Sequence, residues 1–126
     1  MTNLEQMRAA WDRYAKGYDE AITPFSMRIA EDALRMAGVR AGMRLLDVAA
    51  GGGALSIPAA RLGAEVLATD FSPAMVERIR LRAQLEGFPN LEAWVMDGTA
   101  LELGDGTFDV ACSQSASCSF PIGARD

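Results

Sequence analysis

A short apolar run, Met43–Ala49, leads through Ala50 into three consecutive glycines, Gly51-Gly52-Gly53. No other stretch narrows the possible folds as much. The run has the length and hydrophobicity of a buried strand, and the glycines mark a tight turn out of it. Backbone without a Cβ can approach a ligand closely, so such a turn also serves as a binding surface. Ala54–Leu62 reads as the helix that follows, closed by Gly63, with Pro58 bending or delaying its first turn.

The rest of the chain repeats this alternation. Leu4 to about Tyr18 reads as an amphipathic helix, with Leu4, Met7, Trp11, Tyr14 and Ala15 at helical spacing. Tyr14 is expected in the core. Thr23-Pro24 gives an N-cap followed by proline. The helix it opens runs to about Ala37, with Phe25, Ile29, Ala33 and Ala37 along one face and Gly38 as its stop. Glu65–Thr69 is a second strand. Ser72-Pro73 repeats the capping signal for a helix ending near Glu86, whose inner face carries Met75, Val76, Ile79 and Ala83. Its Arg78, Arg80 and Arg82 read as a solvated face. Leu91–Met96 is a third strand, with Trp94 and Met96 expected in the core, and Phe108–Cys112 a fourth.

This pattern predicts an α/β fold, a Rossmann-like doubly wound parallel sheet. Right-handed crossovers place its strands in the order 3-2-1-4, with the switch point between strands 1 and 4. Ligands of such sheets bind outside the carboxyl ends of the strands. Asp47, Asp70 and Asp97 each follow or close a strand-like run. The expected organisation is two helices over 1–40, a sheet-based core over 41–113, and a tail over 114–126 without assigned structure.

Composition removes several functions. With 126 residues the chain is one domain at most. It has no histidine, which excludes Ser-His and Cys-His catalytic pairs and histidine-ligated zinc. Twelve basic against 17 acidic residues leave a net charge of −5, against a nucleic-acid partner. Cys112 and Cys118 lack metal-ligand spacing, so no metal site is expected. The N-terminus has no signal-peptide pattern, and Leu45–Ala60 is too short and too interrupted to span a membrane. A cytoplasmic chain with reduced thiols is the simplest expectation.

The ligand can be narrowed further. A dinucleotide turn would read G-x-G-x-x-G, but Gly51 and Gly53 are followed by Ser56. A carboxylate at Asp47 also disfavours a pyrophosphate. An NAD-binding oxidoreductase domain is therefore the weaker reading. Asp70 ends the second strand, where an acid can accept hydrogen bonds from both hydroxyls of a ribose. Asp97 can accept from an exocyclic amine, and the N–H of Gly98 or Thr99 can donate to a ring nitrogen.

From Trp11 to Ser113 the chain resembles the class I S-adenosylmethionine-dependent methyltransferases. More narrowly, it resembles the type 11 branch that includes ubiquinone and menaquinone methyltransferases. The family's D-x-G-x-G-x-G loop is matched at Asp47, Ala49, Gly51 and Gly53, and Ala49 stands in for a glycine. That replacement is harmless if the backbone there has negative φ. The resemblance implies that the loop holds the methionine part of S-adenosyl-L-methionine and that Asp70 binds the ribose. Asp97 and Gly98 would bind adenine, with Phe71 packed against the ring. The segment Trp11–Asp19 resembles an N-terminal lid, with Tyr18 covering the cofactor. The implied function is methyl transfer to a small-molecule acceptor, with no catalytic residue assigned. A non-catalytic or truncated module that only binds the cofactor is the alternative. The resemblance implies further strands beyond strand 4, and none is read in the tail over 114–126. Strand 4 would then be an open edge, inviting pairing with a second copy.

Overall fold

The computed structural model describes residues 2–96, 107–113 and 117–119. In chain order the elements are α1 (Asn3–Ala21), α2 (Thr23–Met36), β1 (Arg44–Val48), α3 (Ser56–Arg61) and β2 (Glu65–Asp70). They are followed by α4 (Pro73–Glu86), β3 (Leu91–Val95), β4 (Val110–Ser113) and β5 (Ser117–Ser119). The sheet order is β3-β2-β1-β4-β5. The first four strands run parallel, in the order expected from right-handed crossovers.

Local chemistry explains the helix ends. Thr2 and Glu5 form a capping box on α1: Glu5 N–H donates to the Thr2 hydroxyl (3.1 Å) and Thr2 N–H to the Glu5 carboxylate (3.0 Å). Ser72 caps α4 by accepting from Met75 N–H at 3.2 Å, and Gly87 ends it in the left-handed conformation. Thr23 is not the cap of α2. Ile22 holds that position, and Thr23 is the first helical residue, buried with its side chain inward.

The register puts Leu45 opposite Val66 and Val110, and Val66 opposite Leu91. These residues share one face of the sheet with Ala68, Ala93 and Cys112. Ile57, Ala59 and Ala60 of α3 and Val76, Ile79 and Ala83 of α4 complete the core there, with Ala30 and Leu34 of α2 beyond. Both crossover helices fall on this side because both crossovers have the same hand.

The burial pattern corrects three expectations. Trp94 is not in the core: it is 44% exposed, on the face of the edge strand β3 that α4 does not cover. The α2 stripe of Phe25 and Ile29 points outward, at 69% and 59% exposure. The buried stripe is Thr23, Met27, Ala30 and Leu34, which steps by four, three and four and follows the helical period more closely. Tyr14 is also a surface residue, at 63% exposure.

The edge of β4 is not open. β5 pairs antiparallel with it, Ala111 facing Ser119 and Cys112 facing Cys118. Self-association along the β4 edge therefore loses its structural basis. Cys112 is buried and disulfide-bonded, so the expectation of reduced thiols does not hold. Among the described residues no helix is long and apolar enough to cross a membrane.

Candidate functional site

The turn after β1 takes its shape from alternate left-handed residues. Ala49, Gly51 and Gly53 have φ of 56°, 58° and 91°. Ala49 therefore sits in the region that costs an L-residue about 1–2 kcal/mol, and the condition under which alanine here would be harmless, a negative φ, is not met. Gly52 is required for a different reason. A Cβ there would collide with the Asp19 carboxylate of α1 and lie 2.5 Å from the Thr23 hydroxyl of α2. At Gly53 it would lie 3.2 Å from Ile57. The turn is thus pressed between the N-terminal helices and the core.

The two described acids at the strand ends differ in role. Asp70 accepts Gly51 N–H at 2.9 Å on one oxygen and Ser72 N–H at 3.0 Å on the other. Each oxygen keeps a further lone pair. Asp47 is fully buried beneath the turn and accepts the Ser56 hydroxyl at 2.6 Å. Its second oxygen has no hydrogen-bond partner. Burial raises its pKa from 3.8 to about 7, the Ser56 hydrogen bond opposes the rise, and the charge of Asp70 adds to it. Asp97 and Gly98 lie outside the described residues.

A cavity of ≈ 450 Å³ opens at the carboxyl ends of β1 and β2. Its floor is Ala49, Ala50, Gly51, Gly52 and Ala54, and Asp70, Phe71 and Met75 form one wall. Met7 and Tyr18 of α1 and Thr23 and Ser26 of α2 form the other. Of the residues singled out in the sequence, Tyr18, Ala49, Gly51, Asp70 and Phe71 meet here. Asp47 and Gly53 support the floor from below. Thr23 and Ser26 were missed, because Thr23-Pro24 carries a capping signal and nothing local relates it to a turn some 28 residues later. A second hollow of ≈ 220 Å³, lined by Met7, Ala10, Tyr14 and Tyr18, shares Met7 and Tyr18 with the first.

Polar contacts fasten α1 to this site. Arg8 donates to the Phe71 carbonyl at 2.7 Å. Asp12 accepts from the Ser72 hydroxyl (2.6 Å) and Ala74 N–H (3.1 Å), at the start of α4. Asp19 is buried; Arg78 donates to one of its oxygens at 2.8 Å. Arg82 lies 2.9 Å from the other, an ion pair off the direction of a hydrogen bond, and donates to the Asp19 carbonyl at 3.2 Å. Arg80 reaches the Ala93 carbonyl at 2.7 Å. The arginine run is thus a docking face rather than a solvated one. Its partners lie in α1 and β3, too distant in sequence to be read from the run.

Comparison with known proteins agrees with this geometry. Residues 45–125 match the methyltransferase domain family. An uncharacterised protein of Mycobacterium tuberculosis is 36% identical over 108 residues, covering 84% of this chain and 38% of that protein. The demethylmenaquinone methyltransferase of Clavibacter sepedonicus is 39% identical over 110 residues, covering 82% of this chain and 43% of the enzyme. A solved structure from Methanococcus maripaludis, described as an S-adenosyl-L-methionine-dependent methyltransferase, superposes with a TM-score of 0.72 at 25% identity. It covers 83% of this chain and 50% of its own. The chain belongs to the class I S-adenosylmethionine-dependent methyltransferase family. It spans about two fifths of the length of the curated relatives it matches.

Proposed function

We propose that this chain binds S-adenosyl-L-methionine and supports transfer of its methyl group to a small, largely apolar acceptor. The carrying observation is Asp70. It ends β2 on the cavity wall, fixed by two backbone N–H groups, and keeps lone pairs for a ribose diol. In this reading Phe71 packs on adenine, with Asp97 and Gly98 contributing to the same subsite. The turn at Ala49, Gly51 and Gly53 holds the amino-acid part, with Asp47 supporting it from below. Tyr18 closes the cofactor from the side of α1, which acts as the lid.

The cofactor brings a sulfonium that is already a strong electrophile. The protein's task is to orient it and exclude water. Tyr18 and Asp70 are the titratable side chains among the described cavity-lining residues, consistent with positioning as the main contribution. The hollow formed by Met7, Ala10, Tyr14 and Tyr18 supports an apolar acceptor, since it adjoins the cofactor cavity and carries no charged side chain.

Calorimetry with S-adenosylhomocysteine tests the reading. We expect binding by this chain and at least about tenfold weaker binding by Asp70→Ala, the size of losing hydrogen bonds to a charged acceptor. Unchanged affinity in that variant, or binding of NAD in preference, would overturn the assignment. Transfer of labelled methyl groups to a panel of apolar hydroxylated aromatics tests the acceptor.

A further inference from the structure

A bound S-adenosyl-L-methionine carries a carboxylate as well as two positive groups. No lysine or arginine lines the cavity among the described residues. The carboxylate must therefore be met by neutral donors, away from Asp70.

Four observations point to the first turn of α2. The Thr23 side chain is buried and lines the cavity, yet its hydroxyl has no hydrogen-bond partner. A buried hydroxyl without a partner carries a desolvation cost that a ligand can relieve. Ser26, three residues on and on the same helical face, also lines the cavity. The helix they open is 14 residues long, and no side chain caps its N-terminus. The first turn that carries both hydroxyls therefore has backbone N–H groups without a side-chain partner. Finally, the glycine turn separates this corner from Asp70: Gly51 gives its N–H to Asp70, whereas Gly52 abuts Thr23. The nearest other acid, Asp19, is matched by Arg78 and Arg82, and Arg78 also reaches Glu20 at 3.7 Å.

We propose that the Thr23 and Ser26 hydroxyls, with the N-terminal end of α2, form the subsite for the carboxylate of the cofactor's amino-acid end. This rests on the cofactor reading above and names residues that the glycine-loop motif does not contain.

Calorimetry with two ligands on the same protein tests it. S-Adenosylhomocysteine has the carboxylate; 5′-methylthioadenosine keeps the adenosine and thioether but lacks the amino-acid end. Thr23→Val should weaken S-adenosylhomocysteine binding by about tenfold or more and leave methylthioadenosine within about twofold. Thr23→Ser, which keeps the hydroxyl, should restore it. Ser26→Ala should show the same selectivity, and it decides the matter if Thr23→Val does not fold. Equal losses for both ligands would assign Thr23 and Ser26 a purely structural role and overturn the proposal, as would no loss for either. If the unmodified chain fails to bind S-adenosylhomocysteine, the cofactor reading itself falls.

Discussion

Asp47 and Asp70 show how one residue type serves two ends around the same turn. Asp70, at the cavity wall, has both oxygens satisfied by backbone N–H groups. Asp47, under the floor, has one oxygen without a partner and a pKa raised to about 7 by burial. The sign of its effect on stability follows. Below about pH 4 the proton is held in both the folded and unfolded states, and the buried acid is neutral. As pH rises towards 7 the unfolded chain releases that proton while the fold retains it, so stability is lost across this window. Above about 7 the loss is complete. Asp47→Asn removes the group while preserving an acceptor for Ser56. Urea denaturation should therefore show a smaller fall in stability between pH 5 and pH 8 for the variant than for the parent chain. An identical fall in both would show that Asp47 titrates normally. The acids and the glycine turn were legible in the sequence because a strand, its terminal acid and the following turn are local. The left-handed backbone at Ala49 was not, since nothing in alanine's side chain announces it.

Among elements, α1 docks by an unusual division of labour. Its apolar residues suggested a stripe buried in a core. The structure instead fastens the helix with Arg8, Asp12 and Asp19, and leaves Met7 and Tyr18 to line the cavity. Hydrophobic periodicity reports only that a face is apolar, not whether protein or ligand covers it. The anchor carrying most weight is Asp19, buried between two arginines of α4 whose side chains are about one quarter exposed. Asp19→Asn would leave both guanidiniums without their anion. Removing one partner of a buried pair costs about 3–5 kcal/mol, and partial exposure of the arginines reduces that here to about 2–3 kcal/mol. Equilibrium denaturation checks the loss. A change below about 0.5 kcal/mol would mean that α1 is held by its remaining contacts.

For the molecule as a whole, the main core cluster among the described residues lies on one side of the sheet, while Leu46 and Leu67 are buried on the other. Leu45 points into that cluster and is fully buried, whereas Trp94 points to the opposite face, beside a groove of ≈ 330 Å³ lined also by Leu67, Glu92 and Phe108. Their substitutions should therefore differ in a way residue size alone does not suggest. Leu45→Ala should cost about 2–5 kcal/mol, as for a buried leucine, and Trp94→Ala no more than about 1 kcal/mol despite the larger side chain. Denaturant titration of both variants measures the difference. Comparable losses would show that the second face is covered in solution.

Chain order and local pattern determined the parallel sheet, its strand order, the caps of α4 and the glycine turn with Asp70 beside it. All of these depend on residues close in sequence, or on the fixed hand of crossovers. Only the tertiary structure decided which face of each helix is buried, that β5 covers β4, and that the arginines of α4 serve α1. It alone brought Thr23 and Ser26 to the cavity. The reason is physical: burial and pairing are properties of surfaces that meet, and here the meeting surfaces lie tens of residues apart in the chain.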